Sequence, residues 1–541
     1  MVFLFFKKSI IDRSKVIAMV FFALLFMLVL RLYYIQVHPA KLVQGELKNY
    51  QTEVFNGSRY SVIDTNGESL VNDIEKYVLV IDSKPFRLNN YEDTIEDLLA
   101  LNFIMKSEYS EFSYTDVMSS SGKLYYYLTY ESYEKINRLS NIKGIYTYVY
   151  TEREAAEAGK IEDIIATVEE SQVPEDSLQE KIYNYIKDNQ YEEGEYSLND
   201  KSIYELTNKS DTSENKNIQL TVNKDWTEKI KDVLNSKNYS FLDNVGVVLL
   251  ESNSGKIRAL VQKDDAMANV DLGIGSIGYE PGSIFKVLTE SIVLDMGLTD
   301  SNDVYCCSGE ICSKNGEPYA HGPLSVDEAL QISCNDIFAQ LGTMVGYDNM
   351  LRYTEKLGLY QKVLGLSGEN KEEALGIKPT LSEGVSNFSI GQCITVTPLQ
   401  IAGAINAVVN DGVYIKPYII ENIVDNDGNV ISTEESESRR VFSTTTSEIV
   451  QKSMSDVIWL GTGYEAKVEG INEGGKTGTS TGEGGGTNHG WFAGYFEYNG
   501  QKYTLVVVAP NIGETHPDGR ELGGGNTGAP IFRDIVNSLI K

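Results

Sequence analysis

Between Val16 and Leu30 the chain runs VIAMVFFALLFMLVL, fifteen residues without a charge, and after Arg31 it resumes as LYYIQV. Carried to Val37 as a helix this is about 33 Å, enough to cross a hydrocarbon core with Arg31 snorkelling near one face. Lys7, Lys8, Arg13 and Lys15 precede it. The positive-inside rule then keeps residues 1–15 in the cytoplasm as a tail and places everything after residue 40 outside. A cleaved signal peptide would have a shorter apolar run and a small-x-small cleavage site. We therefore expect a transmembrane helix over 16–37 and extracytoplasmic domains beyond it.

The 541 residues are too many for one core and imply about two to four domains. The formal charge is −30, from 47 basic and 77 acidic residues, a surface that repels phosphate backbones and argues against nucleic-acid partners. Five cysteines fall at 306, 307, 312, 334 and 393. An extracytoplasmic setting permits a disulfide within 306–312, and metal binding or plain thiols are the alternatives. Only His321, nine residues after Cys312, adds to a zinc-like spacing. No metal site and no cofactor is assigned.

Residues 58–70, SRYSVIDTNGESL, read as strand, turn at Asn66-Gly67, strand. Residues 72–150 alternate short apolar runs with helical stretches, an α+β pattern. From Glu152 to Lys216 acidic and polar residues dominate, which predicts a peripheral lobe or partly ordered insertion. A strand and helix follow in NIQLTVNKDWTEKIKDVL, and NVGVVLLESNSGKIRALV reads as a hairpin around Asn253-Ser254-Gly255. Helical patterns cover 283–297, 325–342, 346–357 and 397–410. Strands return at 471–479, 490–498 and 503–510, and a last amphipathic helix is expected after Pro530. Strands at both ends with helices between predict one α+β domain whose sheet is closed by both halves of the segment.

The stretch YEPGSIFKVLT (279–289) places Ser283 and Lys286 one helical turn apart, on one face and within reach. Pro281 and Gly282 mark a helix start. The positive end of the helix dipole, with burial, disfavours an ammonium there and turns a lysine into a usable base. QISCNDIF (331–338) carries Ser333-Cys334-Asn335. EGGKTGTST (473–481) puts Lys476-Thr477-Gly478 and Thr479 on a glycine-bordered strand, a cation beside hydroxyls that suits a carboxylate. Each piece alone is a common surface pattern. The order S-x-x-K, S-x-N, K-T-G is not.

With these motifs, and with HGPLSVDEALQISCNDIF, SNFSIGQCITVTPLQIAGAINAVVNDG and GGKTGTS around them, the chain resembles the class B (monofunctional) penicillin-binding proteins. The likeness is strong over 216–541 and fainter over the anchor and 57–150. It implies an α+β transpeptidase domain at 216–541, an antiparallel sheet flanked by helices as in serine β-lactamases. Residues 41–215 would form a non-catalytic α+β pedestal, resembling a dimerisation domain, with an acidic insertion at about 152–215. Three positions depart from the family pattern. Tyr60 and Cys393 stand where glycine is usual, and REAA (153–156) lacks a tyrosine-proline pair.

The resemblance also implies roles. Ser283 would attack the carbonyl between two D-alanines of a peptidoglycan stem peptide, with Lys286 accepting its proton. Ser333 and Asn335 would relay protons and hold the donor amide. Lys476, Thr477, Gly478 and Thr479 would bind the terminal carboxylate, with the N–H groups of Ser283 and Thr479 as oxyanion hole. β-Lactams would acylate the same serine. A membrane glycosyltransferase of the wall machinery is the implied partner. No histidine lies between 39 and 320, so the glycosyltransferase domain of bifunctional relatives is not expected within this chain. The rival readings are a β-lactam hydrolase or sensor of the same fold, and a catalytically dead scaffold. The hydrolase would need a deacylating glutamate, and the nearest piece is Glu372-Glu-Ala-Leu-Gly376. Three further matches, Gly273 to Gly278, Gly478 to Gly482 and Asp425 to Gly428, read as loop or turn, not as nucleotide, hydrolase-elbow or calcium motifs.

Overall fold

The computed structural model describes residues 18–34, 50–154, 160–168, 173–266, 269–271, 273–275, 278–314, 317–368, 371–481, 488–513 and 515–541. The expected tail 1–15, both ends of the 16–37 run, residues 155–156 and Gly482 lie outside these. Residues 18–34 are helical with exposed side chains. Among the described residues no helix is long and apolar enough to cross a membrane.

The chain divides into two compact units. The first takes in 75–152 and 191–211 with the chain up to Gly57. One of its sheets pairs Asp73–Asp82 between Lys123–Leu128 and Ile145–Arg153, and the other pairs Tyr50–Val54, Glu193–Leu198 and Tyr204–Lys209. Helices Ser83–Asn89, Ile95–Glu108, Tyr114–Ser119 and Tyr130–Asn137 complete it. Its main core joins Leu79, Ile81 and Phe86 to Leu101, Met105 and Ile136, an α+β arrangement as the pattern over 72–150 predicts.

The second unit comprises 58–74, 153–190 and 212–541. Its centre is a five-stranded antiparallel sheet of β1 (Gly246–Glu251), β2 (Ile257–Gln262), β3 (Glu473–Thr481), β4 (Asn488–Tyr498) and β5 (Gln501–Ile512), in the order β2-β1-β5-β4-β3. The sheet is thus built from both ends of the segment, with helices between. Alternate side chains feed two cores, as the period of two requires. Val247, Leu249, Phe492 and Val507 pack with α1 (Lys224–Leu234) and α6 (Gly528–Leu539). Val248, Leu250, Trp491 and Val506 pack with α2 (Lys286–Asp295), α4 (Pro398–Val409) and α5 (Thr444–Leu460). With both faces covered, the strands read as near-continuous apolar runs. Every residue of α4 is buried, and Thr397 caps it in a box with Gln400, with Pro398 in its first turn. That matches a helix apolar on all sides.

Three expectations need correction. The segment 152–215 is not a peripheral or partly ordered lobe where it is described. Helices Ile161–Ala166 and Leu178–Ile186 bury Ile161, Ile164, Ile165, Ile182 and Ile186 in the larger core of the second unit. The acidic residues between these anchors hid their helical spacing. Tyr60 has a defined role there: its hydroxyl donates to Ile165 O at 2.7 Å and accepts from Val168 N at 3.2 Å. Arg153 ties the same loop by donating to Tyr60 O and Ala166 O. The predicted single helix over 325–342 is two, Val326–Gln331 and α3 (Asn335–Val345), because Ser333 takes a left-handed φ of 61°. The last helix begins at Gly528, with Pro530 inside its first turn rather than ahead of it, a position where a missing N–H is harmless.

Candidate active site

The YEPGSIFK stretch forms a short 3₁₀ turn, Gly282–Phe285, leading directly into α2. Gly282 has φ 55°, and a Cβ on it would lie 2.6 Å from Thr479 O of β3. Only glycine lets the turn lean on that strand. Gly478 meets the same turn from the other side: a Cβ there would sit 2.8 Å from Pro281 O and 3.0 Å from Ile284 Cγ2. Ser480 Oγ donates to Glu280 O at 2.6 Å. Strand parity puts Lys476 on the face of Gly478, turned toward the Ser283 turn.

The S-x-N motif arrives from the break between helices. Lys286 Nζ donates to Ser333 O at 2.7 Å and Asn335 Oδ1 at 2.5 Å, and lies 3.1 Å from Ser333 Oγ. The segment around the left-handed turn at Ser333 presents the Ser333 carbonyl and hydroxyl and the Asn335 side-chain amide oxygen to one amine. Strain of this kind collects at functional sites. Ser283, Ser333 and Asn335 are partly exposed and Thr479 is exposed, whereas Lys286, Lys476, Thr477 and Gly478 are buried. Three segments distant in sequence therefore meet at one site, where partly or fully exposed hydroxyls of Ser283, Ser333 and Thr479 accompany buried amines.

Burial sets the chemistry of both amines. It lowers the Lys286 ammonium to about 7, opposed by the Cys334 and Cys312 thiols. An amine of that strength is half free at neutral pH and can take a proton from a neighbouring hydroxyl. Lys476 is pushed well below its ordinary value by burial first and by the nearby Lys286 charge second. Its Nζ reaches Thr477 O at 3.0 Å and Thr477 Oγ1 at 3.4 Å. A carboxylate placed beside this amine would offset both effects by stabilising its charged form.

Other residues, outside the three motifs, support this constellation. Thr477 Oγ1 pairs with Thr462 Oγ1 at 2.8 Å, and Gly524 N donates to Thr479 Oγ1 at 3.1 Å. The glycine triplet 523–525 was the available signal. The backbone there presses on β3, and a Cβ at Gly524 would come within 2.2 Å of Gly478 O. Cys393, in a position where glycine is usual, has φ 63°, and its N–H donates to Glu280 Oε1 at 2.8 Å. A left-handed residue at this loop explains the usual glycine. Glu372 is exposed and pairs with Lys362 at 3.1 Å, while Glu373 accepts from the N–H groups of Val363, Leu364 and Gly365. The disulfide considered within 306–312 does not form: all five cysteines are free thiols. Instead Cys307, Cys312, His321 and Cys334 come together, a grouping that spacing does not reveal because Cys334 lies inside S-C-N, well beyond His321 in the sequence.

The chain is 28% identical over 365 residues to the penicillin-binding protein PbpB of Mycolicibacterium smegmatis, covering 62% of this chain and 56% of that one. It thus spans little more than half the length of that relative. It is 26% identical to the peptidoglycan D,D-transpeptidase FtsI homolog of Mesostigma viride, over 99% of this chain and 97% of that one. The crystal structure of penicillin-binding protein 2X from Streptococcus thermophilus has the same fold, with a TM-score of 0.68 and 16% identity, covering 90% of this chain and 80% of that one. Residues 245–537, more than half of the chain and all three motifs, match the penicillin-binding protein transpeptidase domain, and the chain belongs to that family.

Proposed function

We propose that this chain is a membrane-anchored serine D,D-transpeptidase that cross-links peptidoglycan stem peptides and is acylated by β-lactams. The observation that carries the reading is the triple contact of Lys286 Nζ with Ser333 and Asn335, one helical turn from Ser283 and against the Lys476 strand. The name of the Mesostigma viride relative, which aligns along nearly the whole chain, supports it. Ser283 Oγ attacks the carbonyl carbon between two D-alanines as neutral Lys286 takes the proton. The N–H groups of Ser283 and Thr479 receive the developing oxyanion. Lys476, Thr477, Gly478 and Thr479 hold the terminal carboxylate. The proton passes through Ser333 to the departing D-alanine amine, leaving an ester on Ser283, and Asn335 holds the donor amide. An amine of a neighbouring stem then attacks the ester, regenerating the serine and forming the cross-link.

In this reading the catalytic domain at 216–541 belongs to the second unit, which also takes in 58–74 and 153–190, so that of the 41–215 pedestal expected from the sequence it is 75–152 and 191–211, with the chain up to Gly57, that form the separate non-catalytic unit, with 16–37 as the single membrane span and the enzyme facing outward. A membrane glycosyltransferase is the partner that supplies glycan strands. The hydrolase reading is weakened by Glu372 and Glu373, whose carboxylates are held by Lys362 and by three backbone N–H groups. Fluorescent penicillin tests the assignment on the full chain in detergent. A long-lived adduct abolished in Ser283→Ala supports the transpeptidase. Rapid turnover of the label, or no adduct in the parent, overturns it in favour of the hydrolase or the scaffold.

A further inference from the structure

Beside the cleft, on the far side of Ser333-Cys334-Asn335, four side chains converge for which the proposed reaction has no use. Cys307 closes strand Val304–Cys307, Cys312 precedes the hairpin Ser313–Lys314 and Glu317–Pro318, His321 precedes strand Gly322–Ser325, and Cys334 is the N-cap of α3. Their ligand atoms all lie within 4.8 Å of one another. The three cysteines are 1%, 5% and 0% exposed, whereas neighbouring Cys306 faces solvent. From this geometry we infer that Cys307, Cys312, His321 and Cys334 form a closed structural zinc site.

The distances fit one tetrahedral ion better than any pairing of thiols. Sulfurs about 2.3 Å from a common zinc at a tetrahedral angle stand about 3.8 Å apart, and a sulfur and an imidazole nitrogen about 3.6 Å. Cys312 Sγ and Cys334 Sγ are 3.7 Å apart, and Cys307 Sγ and His321 Nδ1 3.4 Å. A disulfide would need about 2.05 Å, would use only two of three thiols, and would leave the histidine without a purpose. Three soft thiolates and one imidazole, with no carboxylate among them, select zinc in a four-ligand site with no open position. The surroundings supply what such a site requires. Asp336 N–H points at Cys312 Sγ from 3.4 Å in the first turn of α3, a donor that stabilises a bound thiolate. Asp336 itself accepts from Ser308 N, Ser308 Oγ and Gly309 N at 2.5, 2.8 and 3.2 Å, which locks the loop after Cys307 onto α3. The four ligands are spaced C-x4-C-x8-H-x12-C, with the fourth inside the second catalytic motif.

That placement gives the ion a consequence. Cys334 lies between Ser333 and Asn335, the two residues that hold Lys286 Nζ, so an ion pinning Cys334 also pins the left-handed turn at Ser333. This coupling rests on the acylation reading above. The zinc site itself does not.

The full chain, purified in detergent, is assayed for metal by elemental analysis. We expect about one zinc per chain, lost in Cys312→Ser and in Cys307→Ser and retained in Cys306→Ser. Exchange of the parent for cobalt tests the site without any mutation: thiolate-to-cobalt charge-transfer bands with intense visible bands of a tetrahedral ion are expected. Protein without bound metal, or a Cys312–Cys334 disulfide found by mass spectrometry of the untreated chain, overturns the site. So does zinc retained in both ligand variants. Chelation should slow acylation by fluorescent penicillin about tenfold or more, with recovery on adding zinc. Zinc bound but acylation unchanged on its removal overturns the coupling alone. Adduct persisting in Ser283→Ala overturns the acylation reading and leaves the metal result standing.

Discussion

Lys286 and Lys476 are buried to the same degree in one cleft, yet the chain surrounds them differently. Lys286 rises from a helix turn and is met by a carbonyl, an amide oxygen and a hydroxyl from a second segment. Lys476 lies on an edge strand, and its polar contacts are with Thr477 beside it. The first amine is oriented and lies 3.1 Å from the Ser333 hydroxyl, with which it can exchange a proton. The second is desolvated and under-solvated by protein, which favours an arriving carboxylate. In the proposed reaction burial alone therefore does not make a base, and the groups touching each amine distinguish their parts. The comparison breaks most sharply at Lys286→Ala, expected to slow acylation by roughly 100- to 10,000-fold, the span of general-base contributions. Stopped-flow labelling with penicillin measures it, and a loss under tenfold would return Lys286 to a structural role.

Lys476→Ala should cost less. A hydrogen bond to a charged group is worth about 1.5–3 kcal/mol, or roughly 10- to 150-fold at about 1.4 kcal/mol per decade. The loss should appear as weaker binding of carboxylate-bearing β-lactams and leave the limiting rate nearly intact. Equal effects from both lysines on the limiting rate would erase the distinction.

The pH profile sharpens the same contrast. A group lowered to about 7 is protonated and useless as a base below that value. Acylation should fall about tenfold per pH unit below 7 and level off above about 8. A profile flat from pH 5 to 8 would contradict the assignment of the base.

The parts of this site legible in the sequence were those carried by local spacing. Ser283 and Lys286 are one turn apart, and the K-T-G strand is fenced by glycines whose need is steric: Gly282 and Gly478 let turn and strand touch. The central sheet strands were equally legible, because both faces are covered and the runs 247–250 and 505–509 are apolar throughout. What stayed hidden depended on long-range geometry. Nothing local announces that Ser333 is left-handed and splits a helix, that Cys334 points away from the cleft toward Cys312, or that isoleucines in an acidic stretch reach the main core.

One buried ionisable group on α2 should separate stability from catalysis. Glu290 lies one turn beyond Lys286, is fully buried, and accepts from Ser453 Oγ on α5 at 2.7 Å. Burial raises its carboxyl to about 8, so it is neutral in the fold at pH 7. Its folded value exceeds the ordinary 4.5 of an unfolded glutamate, so between those values the native chain binds more protons than the unfolded one. Stability contributed by the neutral carboxyl is then complete below about 4.5 and is lost as pH rises toward about 8. Glu290→Gln keeps an oxygen for Ser453 and cannot ionise. It should flatten the decline in Tm between pH 5 and 8, measured by calorimetry, while the midpoint of the acylation profile stays with Lys286. A midpoint that moved with the glutamine variant would mean that the two groups titrate as a pair, and that the base is set by its own helix as well as by the turn at Ser333.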